Sequence, residues 1–276
     1  MPAAELPGHV AIIGLGLIGS SIARAVAERL PDMTVSGYDA DPATRATARE
    51  LSLASHIAET AGEAVRDADL IILCVPVGAM GAVAAEIRDH VAPGAIISDV
   101  GSSKASVLAA LTEALPGHAI IPAHPVAGTE RSGPEAGFGA LFHNRWCILT
   151  PPEGADAEKV ARLSAFWKSL GANVDLMDAP HHDLVLAVTS HLPHLIAYTI
   201  VGTASDLESV TRSEVIKYSA GGFRDFTCIA ASDPTMWRDV FLNNKDAVLE
   251  MLQRFSEDLT ALQRAIRWGD GDALFD

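Results

Sequence analysis

His9-Val10-Ala11-Ile12-Ile13-Gly14-Leu15-Gly16-Leu17-Ile18-Gly19-Ser20 decides the fold. Five mostly apolar residues precede a turn with three glycines, and an alanine-rich stretch of helical character, Ser20 to Leu30, follows it. The order is strand, glycine turn, helix. Gly14 permits the tight turn, Gly16 lets the backbone approach a pyrophosphate, and Gly19 lets helix and strand pack closely. The helix start, with Leu17 and Ile18, then offers N–H groups and a partial positive charge to phosphates. Glycine turns also arise for steric reasons alone, so the next strand matters. Thr34 to Tyr38 ends in Asp39, about 20 residues beyond the turn, where a carboxylate accepts hydrogen bonds from a ribose 2′-hydroxyl. A carboxylate there repels a 2′-phosphate, and the neighbouring Ala40 and Asp41 supply no cation. Arg45 is the nearest one, about a turn into the following helix. NAD is therefore expected over NADP.

Working outward, strand and helix patterns alternate. Asp69 to Val75 is an unalternating apolar run, as suits a parallel strand buried on both faces. It ends at Val75-Pro76, which joins the expected cofactor site, and Met80 to His90 is the helix after it. Ala95 to Val100 is a strand, Ser103 to Leu115 a helix and Ala119 to Ala123 a strand. Trp146 to Leu149, Ala157 to Leu170 and Ala172 to Leu176 read as the closing strand, helix and strand. The expectation is an α/β, Rossmann-type doubly wound parallel sheet, with ligands at the carboxyl ends of its strands. After Asp178 the period becomes helical, over His182 to Ala204, Leu207 to Ala220 and Asn243 to Trp268. The division predicted is 1–177 for a dinucleotide-binding domain and 178–276 for an all-helical substrate and dimerisation domain. In the last helix, Val248, Leu249, Leu252, Phe255, Leu259 and Leu262 form a stripe that suits either packing within one chain or contact with a second copy.

Composition limits the partners. Twenty Lys and Arg against thirty-five Asp and Glu give a net charge of −15, which repels nucleic acid and anionic membranes at long range. With 49% hydrophobic and 20% charged residues the chain reads as globular. Cys74, Cys147 and Cys228 are widely spaced with no CxxC pair, so neither disulfides nor a zinc site is expected. No export signal is read at the N-terminus, and no apolar run reaches the roughly 20 residues of a membrane span. A cytoplasmic protein is expected.

Three further stretches place polar groups where strand-end loops converge. In Asp99-Val100-Gly101-Ser102-Ser103-Lys104 a strand ends in a small-residue turn, where Ser102 is either an N-cap or a site residue. In His124-Pro125-Val126-Ala127-Gly128-Thr129-Glu130 a histidine stands at a strand's carboxyl end. Such a histidine is commonly structural, yet an enzyme moving a hydride from an alcohol needs a base of near-neutral pKa at this rim. In Ser190-His191-Leu192-Pro193-His194 two histidines lie three residues apart with no third metal ligand evident, so anion binding or packing is favoured and no metal is expected.

These motifs, together with Cys74-Val75-Pro76-Val77 and Gly222-Phe223-Arg224-Asp225-Phe226-Thr227, resemble the prephenate/arogenate (cyclohexadienyl) dehydrogenases of tyrosine biosynthesis, in the same order along nearly the whole chain. The resemblance implies that His124 is the catalytic base on the ring hydroxyl and that Ser102 supports that hydroxyl near the nicotinamide. It implies that His194 and Ser190 help bind substrate, that Glu130 and Asp225 form a polar network at the pocket mouth, and that Trp237 lies near the substrate. It also implies a homodimer built through the helical domain. One position departs from the pattern: where the family calls for an arginine gripping the ring carboxylate, this chain has Cys228. Arg224 or Lys217 reaching the carboxylate, a substrate lacking it, or a weakened enzyme would each account for that. Two rivals stand beside this reading. One is another two-domain dehydrogenase acting on β-hydroxy acids or imines, and the other is a non-catalytic NAD-binding homologue.

Overall fold

A strand buried on both faces needs an unbroken apolar run, and the first half of the chain supplies several. In the computed structural model, which describes residues 5–129, 131–211 and 221–275 and gives only the backbone of 208–211, they form a parallel sheet. Its strands are β1 (His9–Ile13), β2 (Thr34–Tyr38), β3 (His56–Ile57), β4 (Leu70–Leu73), β5 (Ile96–Asp99) and β6 (Ala119–Ile120), in the spatial order β3-β2-β1-β4-β5-β6. Every pairing is parallel. Alternate residues of one strand enter opposite cores: Val10 and Ile12 with Ile22 and Val26 on one face, Ala11 and Ile13 with Met80 and Leu111 on the other. The helices that supply these partners are α1 (Leu17–Arg29), α4 (Met80–Ile87) and α5 (Ala105–Ala114), while α2 (Pro42–Glu50) and α3 (Ala61–Ala64) complete the winding. The strand order reverses between β1 and β4, so a crevice opens where the glycine turn and the Val75-Pro76 turn leave the sheet.

The stretch Ala119 to Ala123, expected as one strand, is divided between two sheets. The Ile121 amide still donates to the Ile97 carbonyl at 2.9 Å, but Pro122 has no N–H, and its carbonyl accepts from Thr150 at 2.9 Å instead. The chain thus leaves the first sheet at Pro122. Ala123–Pro125 (β7) joins a second, three-stranded sheet with Trp146–Leu149 (β8) and Asn173–Leu176 (β9). β7 and β8 are antiparallel, β8 and β9 parallel, with α6 (Ala157–Ser169) between the latter. The closing strand, helix and strand therefore belong to a second sheet within the same compact unit, Met1–His182.

The second unit, Asp183–Asp276, is helical among its described residues. The division falls inside α7 (Ala179–Leu186), which passes through a five-residue π turn, Ala187–His191, into α8 (Leu192–Thr211). The break expected between 204 and 207 is absent. The rest of the helix expected to Ala220 lies outside the described residues. α9 (Gly221–Thr227) and α10 (Pro234–Asn243) were not anticipated. The signal for α10 was present: Asp233 caps it by accepting from the Thr235 amide at 2.8 Å, and Pro234 occupies the first turn. α11 (Lys245–Trp268) ends at Gly269, which is left-handed at φ +68°.

The helix from Ala179 to Leu207 is long and apolar enough to cross a membrane by length and composition alone, contrary to the expectation from apolar runs. Histidine, serine and threonine interrupt the run in sequence but add little formal charge. Only 22% of its most apolar window is buried within the chain.

Candidate active site

The glycine turn is shaped by contacts that exclude a side chain at two of its three positions. Gly14 has φ +99°, and a Cβ there would lie 2.4 Å from the Cys74 carbonyl oxygen; at Gly19 it would lie 1.9 Å from the Gly14 oxygen. At Gly16 the opposite holds, with nothing within 4 Å of the Cβ position. Gly16 is also the N-cap of α1, with no side-chain cap. The protein does not fill the space above the helix start, and the open backbone there fits a dinucleotide pyrophosphate. Leu17 and Ile18 begin the helix half-buried, Val75 is half-buried beyond β4, and Pro76 is exposed beside it. Asp39 is held in place: one carboxylate oxygen accepts from the Leu15 amide at 2.8 Å, the other from the Asp41 amide at 3.0 Å.

Ser102, just beyond β5, and His124, the middle residue of β7, are both anchored next to a buried ion pair. Asp99, the last residue of β5, and Lys104, at the N-cap of α5, are both fully buried and in direct contact. The Asp99 carboxylate also accepts from the Gly101 amide at 2.7 Å and the Ala123 amide at 3.3 Å, and the Lys104 ammonium donates to the Ala123 carbonyl at 2.8 Å. The pair therefore fixes both the turn that carries Ser102 and the residue preceding His124. Burial pushes the Asp99 carboxyl above its usual range, against the pull of the Lys104 ammonium and the two amides. With Lys104 as the cap position, Ser102 lies before the helix and is not its N-cap.

His124 is buried on β7, and its Nδ1 lies 2.9 Å from Nε2 of the fully buried His182 on α7. The rings meet edge to face. Burial raises the Cys147 thiol well above its ordinary value, so it is not a thiolate nucleophile.

In the helical unit, Ser190 and His194 flank the start of α8. His194 Nδ1 lies 2.8 Å from the Ser190 carbonyl oxygen, an acceptor only, so Nδ1 carries the proton and Nε2 presents a lone pair. Desolvation lowers the His194 pKa, keeping the ring neutral. Its ring stacks on buried Trp237 of α10, centroids 3.6 Å apart. His191 instead faces Asn244, whose Nδ2 is 3.1 Å from its Nδ1. Asp225 is exposed on α9, and the exposed Cys228 begins the turn after it, its thiol donating to the Asp225 carbonyl at 3.0 Å. Glu130 and Lys217 lie outside the described residues.

Sequence reasoning missed Asp99, Lys104 and His182. An aspartate closing a buried apolar strand, with a lysine five residues on, was a readable signal. Nothing local marked His182.

Family models match both parts of the chain: "Prephenate dehydrogenase, nucleotide-binding domain" over residues 22–176 and "Prephenate dehydrogenase, dimerization domain" over 178–276. The chain belongs to the prephenate dehydrogenase family. Among members of that family, it is 48% identical over 268 residues to a cyclohexadienyl dehydrogenase of Zymomonas mobilis, covering 97% of this chain and 92% of the relative. It is 32% identical to a prephenate dehydrogenase of Bacillus subtilis, covering 98% of this chain and 73% of that one. The crystal structure of prephenate dehydrogenase from Aquifex aeolicus, in complex with hydroxyphenyl propionate and NAD+, matches with TM-score 0.90 at 30% identity, over 99% of this chain and 95% of that one. The family's nucleotide-binding and dimerization parts thus correspond to the sheet-containing and helical parts of this chain.

Proposed function

We propose that this chain is an NAD-dependent oxidoreductase that oxidatively decarboxylates prephenate, arogenate or both, giving 4-hydroxyphenylpyruvate or tyrosine. The observation that carries the reading is the family match along almost the entire chain at up to 48% identity. Residues 1–177 serve as the dinucleotide-binding domain and 178–276 as the substrate and dimerisation domain. Gly14, Gly16, Leu17, Ile18, Gly19, Asp39, Val75, Pro76 and Ser102 make up the cofactor site.

Bound NAD supplies the hydride acceptor for C4 of the cyclohexadienol ring. The rest of the chemistry belongs to the chain and the substrate. His124 takes the ring hydroxyl proton at Nε2 as the carbonyl forms, in the tautomer whose Nδ1–H donates to Nε2 of His182. Ser102 supports the same hydroxyl. The ring carboxylate stands opposite that carbon, so its loss as CO2 restores aromaticity without a metal. General-base assistance of this kind is worth typically about 10²–10⁴ in rate. His194, Ser190, Trp237, Asp225 and Glu130 bind substrate, and Cys228 leaves the ring carboxylate without the family's guanidinium.

The chain acts as a cytoplasmic homodimer. Leu249, Leu259, Leu262 and Ile266 of α11 are exposed, as is much of the apolar helix 179–207, and a second copy is the cover that a dimerization domain implies. The test is NADH formation by the purified protein with prephenate, arogenate and a panel of β-hydroxy acids. Turnover of hydroxy acids alone would assign the chain to the rival dehydrogenases, and turnover of none would make it a non-catalytic homologue.

A further inference from the structure

The end of β2, where the Asp39 carboxylate meets the adenosine ribose in the reading above, has a second charged layer around it. Arg45 and Arg49 stand four residues apart on α2 and so share one face. Both guanidiniums bond to a single carboxylate, that of Glu59, which follows β3 on the neighbouring edge of the sheet: Arg45 to one oxygen at 3.2 Å, Arg49 to the other in a shorter contact. Arg45 is turned inward as well. Its Nη1 donates to the carbonyls of Asp39 at 2.8 Å and Ala40 at 3.3 Å, and its guanidinium lies 5.5 Å from the centre of the Tyr38 ring. Its side chain is 12% exposed, whereas that of Glu59 is 66% exposed. Arg49 is tied further to the Ile57 carbonyl at 3.1 Å.

Two cations on the helix that follows Asp39, Arg45 near its start and Arg49 in its last turn, would ordinarily suit a 2′-phosphate, since an arginine fork matches phosphate oxygens. Here Arg45 donates to Glu59 and to the carbonyls of Asp39 and Ala40, and Arg49, whose side chain is 43% exposed, donates to Glu59 and the Ile57 carbonyl. Asp39 has no freedom to withdraw either, because the Leu15 and Asp41 amides hold its two oxygens. We infer that Glu59 is a second determinant of cofactor choice, which binds Arg45 and Arg49 and so denies them to a 2′-phosphate that Asp39 already repels. Discrimination against NADP then has two parts, repulsion by Asp39 and withheld attraction by Glu59, and removing the first alone leaves the second in place.

The inference rests on the NAD reading above, and binding measurements separate the two. Calorimetric titration with NAD, NADP and 2′,5′-ADP would be made on wild type, Asp39→Ser, Asp39→Ser/Glu59→Ala and Asp39→Ser/Glu59→Gln. Releasing one charge-assisted arginine contact to phosphate corresponds to about ten- to a hundredfold in affinity. Both double variants should therefore bind NADP and 2′,5′-ADP at least about tenfold more tightly than Asp39→Ser, by an amount that shrinks with added salt. A gain below about tenfold in both, or one insensitive to salt, overturns the role of Glu59. Wild type that binds no NAD overturns the cofactor reading itself. Glu59 is exposed, so matching melting temperatures for the single and double variants will show that the comparison is made between folded proteins.

Discussion

The buried pair of Asp99 and Lys104 gives the most demanding prediction. Lys104→Met removes the cation and leaves Asp99 fully buried, with the amides of Gly101 at 2.7 Å and Ala123 at 3.3 Å as donors. Breaking a buried pair from one side costs about 3–5 kcal/mol, because the remaining charge is left uncompensated. For a unit of this size that corresponds to a fall in melting temperature of about 6–20 °C. Burial already raises the Asp99 pKa, and loss of the lysine raises it further. A carboxyl whose folded pKa lies above its unfolded value contributes stability at low pH that is lost as the pH rises through the folded pKa, so the gap between variant and wild type should narrow on acidification. The double variant Asp99→Asn/Lys104→Met carries no buried charge and should recover most of the loss. Turnover should fall in the single variant beyond the effect of stability, since Lys104 also anchors the Ala123 carbonyl next to His124. Thermal unfolding followed by circular dichroism across pH, together with prephenate turnover well below the melting temperature, tests all of this. A drop of less than about 3 °C for Lys104→Met, or a double variant no more stable than the single one, would refute the reasoning.

His124→Asn should bind NAD as wild type does yet lose at least about tenfold in turnover, because an amide cannot take the hydroxyl proton; a smaller loss removes His124 as the base. Cys228→Arg should lower the Michaelis constant for prephenate at least about tenfold by restoring a charge-assisted carboxylate contact, with that for NAD unchanged. Micromolar saturation of the unmodified protein with no gain from the substitution would mean the carboxylate is held elsewhere. His194 has a folded pKa below its unfolded value, so it contributes stability above about pH 6.5 that is lost as the pH falls through that value toward the folded pKa. Chemical denaturation at about pH 7.5 and about pH 5.5 should show His194→Gln losing less stability on acidification than wild type; equal losses contradict the assignment.

The sequence by itself determined the four central strands of the first sheet, β1, β2, β4 and β5, because their signals are local, whereas the two-residue edge strand β3 carried none. The apolar run of β1, the glycines that follow and the Asp39 that ends β2 each state a backbone or solvation requirement within a few residues, and β1 and β2 occupy the expected spans. The shift to a helical period near Asp178 was legible for the same reason. The site motifs were legible as residue types, though not as an arrangement. That the strand begun at Ala119 changes sheets at Pro122 depends on Thr150 being present to take the proline's carbonyl. That Asp99 and Lys104 are buried together depends on Ala123 closing over them. His182 reaches His124 across 58 positions, and Glu59 reaches Arg45 across 14. Each of these contacts joins segments that approach only when the chain has folded, so no local period encodes them, and the tertiary structure alone decided which polar groups would meet.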